Sequence, residues 1–239
     1  MSLPERLAIA RAAGARDALG VPAAVITAGM LGFGALAFAS GLSFAVSVAC
    51  TAGMWALPGQ IVLIEMYVTG APGALTLIAV MLTAVRFLPM TMALMPLVRD
   101  PARGAIGAYG AAQFLAMTSW AWVMRRCPEM PREERLSYFV GFGGTCWAVS
   151  VLGTAIGYYL AGSFPPLVRL GFVFLNPLYL VVLLVGDART ALAVASLVCG
   201  AIAGPLLHLL SPQWSVLLSG LAGGTAAYFV QRSVRTRHA

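Results

Sequence analysis

Few residues in this chain could do chemistry, and most of them sit in apolar text. Arg86 lies in LTAVRFLPM and Glu65 in VLIEMYV, both inside long hydrophobic runs. A charged side chain at the centre of a bilayer costs about 2.5–3.5 kcal/mol on insertion scales. Such a side chain faces the interior of a helix bundle, where it pairs or binds something. Arg86 could hold a substrate carboxylate and Glu65 could carry a proton. The plainer alternative is an ion pair between the two that joins adjacent antiparallel helices. Gln60 directly follows Pro58-Gly59. Proline removes a backbone donor and clashes with the preceding turn, so a break or marked kink is expected at this point. An amide beside a break offers both a donor and an acceptor. The positive end of a half-helix suits a carboxylate. Here the plainer alternative is a kink with Gln60 bonded to a neighbouring helix. Asn176-Pro177 repeats the pairing of amide and proline. The candidate substrate-binding residues are therefore Pro58, Gly59, Gln60, Arg86 and Asn176, with Glu65 the candidate for proton or ion coupling.

The remaining polar and reactive residues read as structural. Asp187 near Arg189 reads as a solvated pair at a span end, and His208 as a hydrogen-bonded interface histidine. Trp55 and Trp147 read as packing. The cysteines, at 50, 127, 146 and 199, form no CxxC pair and read as small hydrophobes. An intramembrane enzyme would need a nucleophile with its base, paired acids for a metal, or an HExxH helix. The chain has none of these, and no nucleotide-binding motif. No catalytic residue, metal or cofactor is expected.

The elements that must position these residues are membrane helices. Hydrophobic residues make up 60% of the chain and charged residues 10%, against about 25% charged in a soluble domain. The formal net charge of +7 comes from 15 basic residues, all arginine, placed mostly in short loops and tails. That is the distribution of the positive-inside rule rather than of a nucleic-acid-binding face. Apolar runs at 19–38, 43–69, 74–97, 104–124, 136–160, 171–186, 190–210 and 214–230 give an all-α, polytopic transmembrane bundle. About eight spans are expected, with seven as the alternative because the sixth run is short. Some helices should be broken or kinked. Run 43–69 exceeds the approximately 20 residues a straight helix needs. Residues 1–19, bearing Arg6, Arg11 and Arg16, read as a cytoplasmic amphipathic segment near the membrane face. Residues 20–231 form the transmembrane domain and 232–239 a basic cytoplasmic tail. With both ends inside, the arginine-rich loop 125–135 also falls inside. Gly153 and Gly157, like Gly200 and Gly204, are spaced for close helix packing, within the bundle or against a partner. Ala45-Val46-Ser47-Val48 matches Ala148-Val149-Ser150-Val151, a match too short to carry an architecture.

The organising stretch is 20–73, glycine-rich and broken near Pro58. Within it, GALAFASGLSFAVSVACTAGMWALPGQIVLIEMYVTGAP, residues 34–72, resembles the AzlC family. That family is the large subunit of bacterial branched-chain amino acid exporters. Val85-Arg86 with Pro96, and Leu170-Gly171 to Pro177, resemble two further family regions. The resemblance implies a multi-pass protein of the bacterial inner membrane. It would export branched-chain or related small amphipathic amino acids, driven by an ion gradient, with a small AzlD-type membrane subunit as partner. The chain departs from the family pattern at several points. Gly59 stands where the family has serine, Ala84 and Phe87 where it has asparagine and histidine, and Val173 where it has aspartate. Glu65 replaces a small apolar residue. The missing polar residues favour one alternative, a non-transporting scaffold or assembly subunit. Another is a permease served by a separate ATPase.

Overall fold

The computed structural model describes residues 2–99, 110–163, 165–168, 170, 171, 174, 178, 181, 185, 191–210 and 222–225. Among the described residues every regular element is helical. The chain divides into two compact units, Met1–Leu180 and Val181–Ala239.

In the first unit, α1 (Leu3–Ala18) and α2 (Val21–Ala39) are separated only by a turn at Leu19–Gly20. After the turn at Gly41 come α3 (Phe44–Met54) and α4 (Leu57–Val68), then α5 (Gly73–Ala84) and α6 (Phe87–Val98). Residues 110–112 are helical, followed by α7 (Met117–Arg126) and a 3-10 turn, Cys127–Glu129. The longest helix is α8 (Arg132–Tyr159). It starts behind Pro131 with Glu133 and Glu134 in its first turn, where the helix dipole favours acids. In the second unit, α9 (Ala191–Leu210) contains Pro205.

α8 is the axis of the first unit. α1 and then α2 run alongside it in its own direction, Gly14 facing Tyr138 and Phe142, Gly34 facing Thr154 and Tyr158. A Cβ on Gly34 would collide with the Thr154 carbonyl, and one on Gly157 with the Leu31 carbonyl. Lipid gives helices no hydrophobic reason to associate, so close van der Waals packing between small residues must hold them. The expected Gly153–Gly157 pair serves this seam within the chain: Gly153 abuts Thr27 and Met30. In the second unit Gly223 packs on Gly200.

Three sequence expectations need restating. Residues 1–19 do not stand apart from the bundle. α1 packs along α8, burying Ala10, Gly14 and Ala18 at a spacing of four. Arg6 pairs with Glu134 at 2.7 Å, and the Tyr138 hydroxyl donates to Asp17 at 2.6 Å. These contacts bring the N-terminal segment and loop 125–135 to the same end of the bundle.

The spans also differ. Among the described residues only α2 and α8 are long and apolar enough to cross a membrane, and the α5–α6 pair, bent by 45°, makes a third if taken as one. The expected second, third and fourth spans are each interrupted. The fifth matches α8 and the seventh α9, while most of 171–186 and 214–230 lies outside the described residues.

The last change concerns where helices break. The break in run 43–69 falls at Trp55–Ala56, not at Pro58-Gly59. Trp55 is left-handed, with φ 39°, and Pro58 belongs to the first turn of α4. Proline leaves the carbonyl four residues back, here Met54, without its donor, and its ring crowds that carbonyl. The helix therefore ends one turn upstream, and proline is well tolerated in the first turn of the next. Pro89 acts likewise on Val85, where α5 gives way to α6.

All four cysteines are free thiols, and Cys127 and Cys146 are fully buried. Burial pushes the Cys127 thiol up to about 11, with Arg135 pulling against it.

Candidate functional site

Three helix interruptions meet at one place. They are Trp55–Ala56 between α3 and α4, Val85–Arg86 between α5 and α6, and residues 113–116 ahead of α7. A cavity of about 50 Å³ lies among them, lined by Trp55, Ala56, Leu57 and Pro58, by Arg86 and Phe87, and by Ala116, Met117 and Thr118. Ile26 and Met30 of α2 close the remaining side. The starts of α4, α6 and α7 therefore all border the same space. A helix start carries unpaired N–H groups and roughly half a positive charge. Arg86 adds a full charge beside these three starts.

Arg86 is half-buried, and its Nε is buried without a hydrogen-bond partner. Its guanidinium carbon lies 5.3 Å from the centre of the Phe87 ring. The cation is therefore stacked on an aromatic ring. The alternative reading, an ion pair with Glu65, is not found: Glu65 is exposed on α4 and makes no ion pair with Arg86. Leaving a buried donor unpaired costs about 1–3 kcal/mol, more for a charged group. The cavity thus holds a cation with no counter-ion among the described residues, bordered by the starts of three helices. That setting suits an anion.

Pro58 lines this cavity. Gly59 and Gln60 lie immediately behind it, both fully enclosed. A Cβ on Gly59 would stand 2.9 Å from Thr83 Oγ1 and 3.2 Å from Met54 Sδ. The serine expected from the family has no room here, and a hydroxyl from α5 occupies the neighbouring space instead. Gln60 is wholly buried; its Nε2 donates to Thr51 Oγ1 at 2.9 Å, while its Oε1 has no partner. Asn176 and Pro177 fall outside the described residues.

Sequence reasoning missed the partners of Gln60. Thr51 Oγ1 is 2.8 Å from Thr154 Oγ1, and the Trp55 indole N–H donates to Ser150 Oγ at 2.8 Å. Ser47, Thr51, Gln60, Ser150 and Thr154 are all inaccessible to solvent. The signal was present in the short internal match. It continues for four residues, giving AVSVACTA at 45–52 and AVSVLGTA at 148–155. The serine and threonine of each copy are four apart and so share a helix face. Gln113, also unassigned from sequence, reaches across to α3, where its Nε2 donates to the Ala52 and Gly53 carbonyls at 3.0 Å. Trp147 donates to the Ala52 carbonyl as well, at 2.9 Å. The broken end of α3 is therefore capped by side chains, as a helix end inside a membrane protein requires.

A family model described as AzlC protein matches residues 22–164. The chain belongs to the AzlC family. The matched region contains α2 to α8, and with them the cavity and the hydroxyl cluster behind it. This AzlC member is a membrane protein and a transporter component. No match is found among curated proteins or among solved structures.

Proposed function

We propose that this AzlC member exports branched-chain or related small amphipathic amino acids across the bacterial inner membrane. The reading includes both chain ends in the cytoplasm, coupling to an ion gradient, and a small AzlD-type membrane subunit as partner. The observation that carries it is the convergence of Arg86 and three helix starts on one cavity. Interrupted helices that aim their positive ends at one point are a recurring way to hold a substrate carboxylate within a membrane. A single water needs about 10–15 Å³ of such space, so a cavity of about 50 Å³ holds a few water-sized groups, as a carboxylate head is, but not a whole amino acid. In this reading the structure is a contracted state, and substrate entry separates the half-helices at their breaks. Trp55, Met30 and Phe87 supply apolar walls for the side chain.

The test is efflux from loaded cells expressing the protein with its small partner. Arg86→Ala is expected to abolish leucine and valine efflux while membrane insertion stays at the wild-type level. Arg86→Lys keeps the charge but not the planar fork, and is expected to give partial efflux. Full efflux by Arg86→Ala would remove Arg86 from the site. Failure of the wild type to move any amino acid would favour the scaffold reading.

A further inference from the structure

The buried polar cluster behind the cavity has an imbalance that points to a ligand. Thr51 and Thr154 are equivalent positions in the two copies of AVSVxxTA. α3 meets α8 antiparallel. Leu42, just before α3, accepts from Tyr158, while Trp55, just after it, donates to Ser150. The repeat therefore crosses itself in inverted orientation, and the two threonine hydroxyls touch at the crossing, 2.8 Å apart.

The hydroxyl protons of this crossing can all be placed. Thr51 Oγ1 has the Ser47 carbonyl as acceptor at 3.4 Å, and Thr154 Oγ1 can then donate to Thr51. Gln60 Nε2 also donates to Thr51, while Ser150 donates to the Cys146 carbonyl at 2.7 Å. What is left unused is one Nε2–H of Gln60 and two oxygens: Gln60 Oε1, fully enclosed and without a partner, and Thr154 Oγ1 with its lone pairs. Such free acceptors attract a small cation. Gln60 lies one turn along α4 from Leu57, which lines the cavity, and one turn advances about 5 Å. The Trp55 ring forms the cavity wall on one side and bonds the cluster through Ser150. An anion site and an acceptor-rich site thus lie a helical turn apart.

We infer that Gln60 Oε1 and Thr154 Oγ1, with Thr51 holding them in place, form a subsite for a small monovalent cationic group. Two sources share that chemistry: the α-ammonium of a zwitterionic substrate and a coupling sodium ion. The ammonium source rests on the amino acid reading above; the sodium source does not.

The experiment uses the purified full-length chain with three probes: sodium chloride against choline chloride, leucine, and 4-methylpentanoate, which is leucine without its ammonium. The readouts are thermal unfolding and equilibrium binding, in the wild type, Thr154→Val and Thr154→Ser. If the ammonium fills the subsite, leucine binds at least about tenfold tighter than 4-methylpentanoate, as one charge-assisted hydrogen bond allows. Thr154→Val then removes the difference and Thr154→Ser restores it. If sodium fills it, sodium raises the unfolding temperature over choline in the wild type and in Thr154→Ser but not in Thr154→Val. Equal binding of leucine and 4-methylpentanoate with no sodium effect overturns the subsite and leaves the amino acid reading standing. A sodium effect without binding of any amino acid keeps the subsite and overturns that reading. Absence of both responses overturns both. Gln60→Leu serves as a second variant should Thr154→Val fail to fold, with the same expected loss.

Discussion

Gly59 shows how a departure from family pattern can be absorbed by a neighbour. The space beside its Cα is occupied by Thr83 Oγ1, which donates to the Val80 carbonyl at 2.7 Å. Placing serine at 59 should therefore force α4 and α5 apart. Gly59→Ser is expected to lower the unfolding temperature, with an overpacking cost of about 1–3 kcal/mol. Adding Thr83→Ala frees the space and returns a hydroxyl from the opposite helix. The double variant should recover most of the loss, a coupling that a double-mutant cycle on thermal unfolding would read directly. Independent, additive losses would show that the two sites do not compete for one space. At the cavity itself, Arg86 is the residue whose loss should matter most for transport. Its charge has no counter-ion among the described residues.

Among the helices, the α2–α8 seam depends on absent side chains. Gly34 and Gly157 each leave room for a partner backbone that a Cβ would strike. Gly157→Ala should destabilise by about 1–3 kcal/mol, because backbone cannot step aside as a side-chain end can. Gly53 in α3 is the control, since a Cβ there meets nothing within 4 Å. Gly53→Ala should be neutral or slightly stabilising, by up to about 1 kcal/mol from helix propensity. Thermal unfolding in detergent separates the two; equal behaviour would mean that the seam is not close-packed in solution. The breaks follow a rule at the same scale. Pro58 and Pro89 each end the helix that precedes them by one turn, so the breaks fall at Trp55–Ala56 and Val85–Arg86 rather than at the prolines.

At the scale of the first unit, α1 is integral. Its Gly14 sits on the backbone of Tyr138 and Phe142, Arg6 pairs with Glu134, and Asp17 accepts from Tyr138, which also accepts from Trp122 at 3.1 Å. Deleting residues 1–18 would bare this face of α8 and leave Tyr138 without its acceptor. The deletion is expected to lower the unfolding temperature by several degrees and reduce the amount of folded protein recovered. A deletion variant as stable as the full chain would mean that α1 is peripheral to the fold. The same contacts fix α1 and loop 125–135 at one end of the bundle. That supports placing both on one side of the membrane.

Composition alone decided that this is a helical membrane protein, because 60% hydrophobic residues and so few charges leave no soluble fold open. Local text also picked out two residues that the fold brings to the cavity: Pro58 and Arg86 were legible because proline and arginine carry a cost inside a membrane helix that must be met by function or packing. Gln60 was legible for its amide beside the proline. What that text could not decide was distance. Sequence spacing leaves a pairing of Glu65 with Arg86 open as one reading, yet helix rotation places Glu65 on the outer face. Thr51 and Thr154 read as ordinary small residues. Only the antiparallel crossing of α3 and α8 brings the two hydroxyls together around Gln60. Three helix starts meet at one cavity for the same reason: each break is written locally, but their convergence is a property of packing.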